Sequence, residues 1–178
     1  MFEQKRIKEA EDGVREYLQE GKLFRLKIID NNILETYRKN AEESLKTADF
    51  LFRNAMPPLW VVVCSYYSMF YVASAVLYSL GYKSGEKTPH KITADALVVF
   101  VRGKLKNRLI EDYEDAMGEA LDLAGTKADE LVFAFDQERK KRSAFQYEMT
   151  ESVKRGKAQT SLDRAKSFVF ELDKLVKP

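Results

Sequence analysis

Residues 54–82 read NAMPPLWVVVCSYYSMFYVASAVLYSLGY, twenty-nine residues without a charge. The run is long enough to span a bilayer. It also holds Ser65, Ser68, Ser74 and Ser79, and its tyrosines are spread along the middle rather than gathered at two interfaces, where membrane spans concentrate them. A helix apolar on every side is equally the central helix of a bundle. The second reading is preferred, and the membrane reading is kept as an alternative. Pro57 and Pro58 break the chain before the run, and Pro58 suits a first helical turn. The predicted helix covers about 58–80 and stops at Gly81.

The flanks supply what such a helix packs against. Upstream, Ile33, Leu34, Tyr37, Ala41, Leu45, Ala48, Leu51 and Phe52 fall on one stripe of a helix over about 32–55, with Asp30 or Asn31 as its cap. Earlier still, Ile7, Ala10, Val14, Tyr17 and Leu18 mark an amphipathic helix over 3–20, ended by Gly21. The stretch KLFRLKII after it is too short to decide between strand and connector.

Downstream, YKSGEKTPH reads as a polar loop in which Thr88 caps a short helix over 89–102 and Pro89 occupies its first turn. A long helical region over 105–143 follows, with an interruption expected at Gly125-Thr126. A last helix over 156–176 carries Ala158, Leu162, Ala165, Phe168, Val169, Leu172 and Leu175. No pair of stretches reads as paired strands.

The fold class expected is therefore all-α: an antiparallel helical bundle with a long central apolar helix and an extra N-terminal helix. Residues 1–30 form the N-terminal helical extension and 31–178 the bundle.

Composition agrees. The 178 residues are 45 % hydrophobic and 33 % charged, sparse in Gly and Pro, the profile of one soluble helical domain. The net charge of +2 is too small to announce nucleic-acid binding, so any basic surface is local. The single cysteine, Cys64, excludes an internal disulfide. No metal-ligand spacing, phosphate-cradling glycine loop or Ser-His-Asp order is present. No cofactor is expected. The first thirty residues hold no secretory apolar stretch, so a cytoplasmic protein without membrane attachment is expected.

Three stretches together carry a family resemblance: NAEESLKTADFLFRNA (40–55), CSYYSMFYVASAVLYSLGYKSGEKTPH (64–90) and KRSAFQYEMTESVKRGKAQTSLDRAKSFVFEL (141–172). In order and spacing the chain resembles the HEPN superfamily, the higher-eukaryote and prokaryote nucleotide-binding helical domains. Its branch carries a similar tyrosine-rich helix, a Thr-His loop and a C-terminal arginine followed after two residues by Ala-Asp-Tyr.

The resemblance implies a helical bundle, commonly a homodimer, often encoded beside a minimal nucleotidyltransferase in toxin–antitoxin pairs. Many HEPN nucleases carry an arginine followed after four to six residues by a histidine. Here Arg142 is followed at the matching position by Tyr147, and the branch's Ala-Asp-Tyr is Phe145-Gln146-Tyr147. The tyrosine that receives AMP in some HEPN toxins corresponds to Met149, so that modification does not carry over.

Arg142 offers a guanidinium matched to phosphate geometry. Tyr147, a phenol with a pKa of about 10, can orient a phosphate or hydroxyl but is a poor base. These two are the candidate catalytic pair of a metal-independent ribonuclease. The candidate RNA- or nucleotide-binding residues are Arg139, Lys140, Arg142, Gln146 and the only histidine, His90. Arg139 and Arg142 share a helix face. The competing reading is a solvated basic helix end, favoured there by the helix dipole. Tyr66, Tyr67, Phe70 and Tyr71 form an aromatic cluster that serves core or dimer interface, with one hydroxyl free to face the site. A non-catalytic helical module docking a nucleotidyltransferase is the alternative function.

Overall fold

The computed structural model describes residues 4–85, 88–140 and 155–176; for 125–140 it describes the helical backbone. Six helices and one short β-ribbon follow one another: α1 (Gln4–Gln19), β1 (Leu23–Arg25), α2 (Asn31–Arg53), α3 (Pro58–Ser79), β2 (Tyr82–Ser84), α4 (Pro89–Phe100), a 3₁₀ turn (Arg102–Lys104), α5 (Asn107–Lys140) and α6 (Arg155–Asp173). An all-α bundle is what the stripes predicted, with boundaries within a few residues.

The uncharged run is the middle of the bundle. α3 packs against α2, α6, α5 and α4, and burial reaches all round it, from Val61, Val62 and Tyr66 through Met69, Val72 and Ala73 to Val76 and Leu77. It is long and apolar enough to cross a membrane, and over half of its most apolar window is buried inside the protein. Three of its serines bond within the helix: Ser68 donates to the Ser65 carbonyl at 2.7 Å, Ser74 to the Phe70 carbonyl at 2.8 Å and Ser79 to the Val76 carbonyl at 2.8 Å.

The punctuation follows side-chain chemistry. Asp30 caps α2 by accepting from the Asn32 N–H at 2.8 Å, and Pro58 opens α3. Gly81 sits at φ +86°, a conformation glycine adopts freely, and its carbonyl accepts from the Leu26 N–H at 2.8 Å.

Three expectations are corrected. First, β1 and β2 do pair, antiparallel, with Leu23 opposite Ser84 and Arg25 opposite Tyr82. Three residues per strand leave no periodicity to read. The pairing is imposed by tertiary position, with Leu23 buried and Tyr82 stacked on Phe100 at 4.1 Å.

Second, Thr88 precedes α4 as expected but makes no side-chain cap bond. It is left-handed, at φ 51° and ψ 43°, a strained choice for a β-branched residue before proline. Third, α5 runs unbroken through Gly125-Thr126, since a lone glycine inside a helix costs only about 1 kcal/mol.

Candidate functional site at the start of α4

α4 begins Pro89-His90 and then turns inward, with Ile92 through Val98 buried. This brings His90 against α3. The Tyr66 hydroxyl lies 2.7 Å from His90 Nδ1. The Phe70 ring is centred 4.6 Å from the imidazole, Tyr66 at 5.5 Å, and Tyr67 edge-on at 5.9 Å. Tyr66, Tyr67 and Phe70 fall within one turn and a neighbouring position of α3, so that helix supplies the whole aromatic surround.

Behind Tyr66 stands Tyr113 of α5, with rings 5.9 Å apart, and Tyr113 in turn stacks on Phe168 of α6 at 5.3 Å. The site is thus backed by three helices of the core. His90 and Phe70 are half-buried and Tyr67 is 37 % exposed, so the aromatic face opens to solvent.

Burial sets the protonation. It pushes the His90 pKa below its usual 6.5, leaving a neutral imidazole at pH 7. Burial also raises the Tyr66 phenol above its usual range and, joined by the neighbouring Tyr66, holds Tyr113 well above 10. A phenol donates more readily than it accepts, so Tyr66 is assigned as donor to Nδ1. The imidazole proton then resides on Nε2. The Tyr113 hydroxyl is buried and meets no partner with hydrogen-bonding geometry among the described residues; the same holds for Thr93 Oγ1, on α4 one turn beyond His90.

Of the candidate catalytic and RNA-binding residues, His90 is the one whose side chain is among the described residues. Arg139 and Lys140 have backbone positions at the end of α5, and their side chains lie outside the described residues. So do Arg142, Gln146, Tyr147 and Met149. Tyr66 was one of four equivalent aromatics in the sequence, and its bond to His90 selects it. Tyr113 falls within the long helical region expected over 105–143, and nothing local in the sequence sets it apart.

A shallow groove of about 770 Å³ between the start of α5 and α6 does not reach His90. Its lining mixes four basic residues, Lys104, Lys106, Arg108 and Arg164, with the acids Asp112, Asp163 and Glu171, and Arg164 is itself paired with Asp112, Asp115 and Glu119. Among the described residues no cluster of three His, Cys, Asp or Glu side chains can hold a metal ion.

The HEPN domain model matches residues 34–175, from the first turn of α2 past the end of α6. The chain belongs to the HEPN family. No curated protein matches it. The HEPN match takes in His90, Tyr66 and Tyr113 and leaves α1 and β1 outside. The HEPN fold is a soluble one, in which the apolarity of α3 serves the interior of the bundle.

Proposed function

We propose that this HEPN protein binds single-stranded RNA or a nucleotide as one component of a toxin–antitoxin or nucleotidyltransferase-linked system, as a cytoplasmic homodimer. The observation that carries the reading is the His90 site: a neutral imidazole fixed by Tyr66 and fenced by Phe70 and the solvent-facing ring of Tyr67. Aromatic faces accept an unpaired base at about 1–3 kcal/mol per base, and an Nε2–H donor suits a phosphate or carbonyl oxygen. The basic run Arg139, Lys140 and Arg142, with Gln146, supplies the phosphate contacts in this reading. The homodimer is supported by the uncharged start of α3, where Trp60 remains 52 % exposed.

The test is fluorescence anisotropy with end-labelled single-stranded RNA in excess chelator, with a gel of the same samples. Wild type should bind, and Tyr67→Ala and Arg142→Ala should each weaken binding by roughly tenfold, the equivalent of 1.4 kcal/mol. Absence of binding by wild type defeats the reading. Metal-free cleavage lost in Arg142→Ala and in Tyr147→Phe extends it to a ribonuclease.

A second reading, a helical module that docks a nucleotidyltransferase, is supported by Phe50, Met56 and Trp60, three large apolar side chains left exposed around the α2–α3 turn. It expects co-purification that Trp60→Glu weakens and Arg142→Ala leaves unchanged.

A further inference from the structure

α4 carries one acid inside an otherwise apolar stretch: Asp95, in ITADALVV, only 4 % exposed. A carboxylate so placed needs partners, and two of them come from α1. Arg6 Nη2 lies 2.7 Å from Asp95 Oδ1, and the Tyr17 hydroxyl donates to Oδ2 at 2.9 Å. Arg6 also bonds Glu114 of α5 through Nε at 2.9 Å. One guanidinium therefore ties α1, α4 and α5 together.

The rest of the α1 face is shaped for this contact. Arg6, Ala10, Gly13 and Tyr17 fall at helical steps on a single stripe, and Ala10 is fully buried with Val98 of α4 and Ile110 of α5. Gly13 matters by what it lacks. A Cβ there would stand 3.3 Å from Asp95 Oδ2 and 3.4 Å from the Tyr17 hydroxyl. Asp95 is held by Arg6 and Tyr17, and Tyr17 by Asp95, so the few tenths of an ångström that a Cβ needs come at the expense of those bonds. A glycine inside a helix is otherwise unfavourable, and its place is explained by the close approach of α1 to the carboxylate. The phenol of Tyr17, buried and beside Asp95, has its pKa pushed up to about 12, so it remains a donor.

The latch is adjacent in sequence to the His90 site on both helices it grips. Asp95 follows His90 by five residues on α4, and Glu114 follows Tyr113 on α5. We propose that α1 acts as a latch: by holding Asp95 and Glu114, it fixes α4 relative to α5 and so keeps His90 in bonding register with Tyr66. α1 lies outside the HEPN match, so the extension becomes a positioning element of the site rather than an appendage. Arg6, Gly13 and Tyr17 are positioning residues, and none touches His90. The consequence for ligand binding rests on the reading of His90 given above; the positioning itself does not.

The single histidine of the chain makes the test clean. Nitrogen NMR of the imidazole in the full-length protein should show two well-separated resonances for a fixed tautomer in wild type. Gly13→Ala and Arg6→Ala should draw the two resonances together as tautomers average, even though Ala raises helix propensity at position 13. Arg38→Ala, which removes the exposed pair with Asp173 joining α2 to α6, should leave them unmoved.

Should Arg6→Ala fail to fold, Tyr17→Phe, which deletes one oxygen, gives the same readout. Unmoved imidazole resonances in the folded latch variants would overturn the proposal. So would an equal change in Arg38→Ala, which would mark general loosening. Altered resonances with RNA affinity unchanged would uphold the latch and defeat the binding role of His90. Loss of both, with at least a fivefold rise in Kd, upholds the two together.

Discussion

Tyr66 and Tyr113 are both fully buried, their rings touch, and the structure gives them opposite hydrogen-bonding accounts. Tyr66 spends its hydroxyl on His90 at 2.7 Å. Tyr113 has a desolvated hydroxyl that meets no partner with full hydrogen-bonding geometry among the described residues, the neighbouring Tyr66 phenol offering only a weak one. The same substitution, Tyr to Phe, should therefore change sign between them. Tyr66→Phe removes a bond worth about 1 kcal/mol, a moderate figure because half-buried His90 can recruit water to Nδ1. Tyr113→Phe removes a group whose burial without a partner costs roughly 1–3 kcal/mol. The low end applies, since Tyr66 lies close enough to offer part of an acceptor, so a gain of about 1 kcal/mol is expected. The two variants should then differ by about 2 kcal/mol. With an m-value of about 2 kcal/mol/M in urea, their midpoints should lie roughly 1 M apart, on either side of wild type. Protein concentration must be held constant, because a dimer makes midpoints concentration-dependent. A fall in midpoint for Tyr113→Phe as large as that for Tyr66→Phe would refute the reasoning. It would mean that Tyr113 donates to Tyr66 in solution and that the two phenols and the imidazole form one chain, and the double variant would then show coupling rather than additivity.

Phe168, fully buried and stacked on Tyr113, should cost about 3–5 kcal/mol as Phe168→Ala in urea unfolding. A loss below 1 kcal/mol would show that α6 does not close the core behind the site. Asp30→Ala should cost about 1 kcal/mol through the lost cap of α2, and a neutral result would remove Asp30 from that role. His90 should make stability depend on pH in one direction. Its folded pKa lies below the unfolded 6.5, so between the two values the unfolded chain binds more protons. The stability owed to the neutral imidazole is complete above about pH 6.5 and declines as pH falls toward the folded pKa. His90→Gln should flatten that part of a urea-midpoint series across the range, and parallel curves for the two proteins would sink the assignment.

The helices were legible because each buries one face, and burial of one face writes a stripe into the sequence. The cap of α2, narrowed to Asp30 or Asn31, and Pro58 as a first-turn residue were legible for the same kind of local reason. The ribbon was not, since strands of three residues joined across nearly sixty positions carry no pattern of their own, and only the packing of Leu23 and Tyr82 decides them. Thr88 was misread in its side chain because position next to proline predicts where a helix begins but not which backbone basin the preceding residue occupies. The unbroken α5 shows the same limit in reverse: glycine marks a permitted break, and the local cost of continuing is small enough for the helix to continue. In the site, His90 stood out as the only imidazole, while Tyr66 could not be told from Tyr67, Phe70 and Tyr71. A helix without charge has no polar face to orient it, and only its neighbours assign the turn that meets α4.

One signal in the sequence pointed further than the aromatic cluster did. A buried polar side chain that bonds to its own helix, as Ser68 and Ser74 do, says little about what lies opposite. α4 is different. His90 is bonded by α3 and Asp95 by α1, and Thr93 between them has a buried hydroxyl without a partner among the described residues. Three polar groups at steps of two or three residues face three directions of a helix that is otherwise apolar. Packing alone would favour Leu or Ala at each, since burial of a polar group costs free energy unless a partner repays it. A helix that accepts this cost at His90 and Asp95 is held by α3 on one side and by α1 on another. That is the property a site requires of the element presenting its imidazole, and it supports the proposed role of His90 independently of the Arg142 motif.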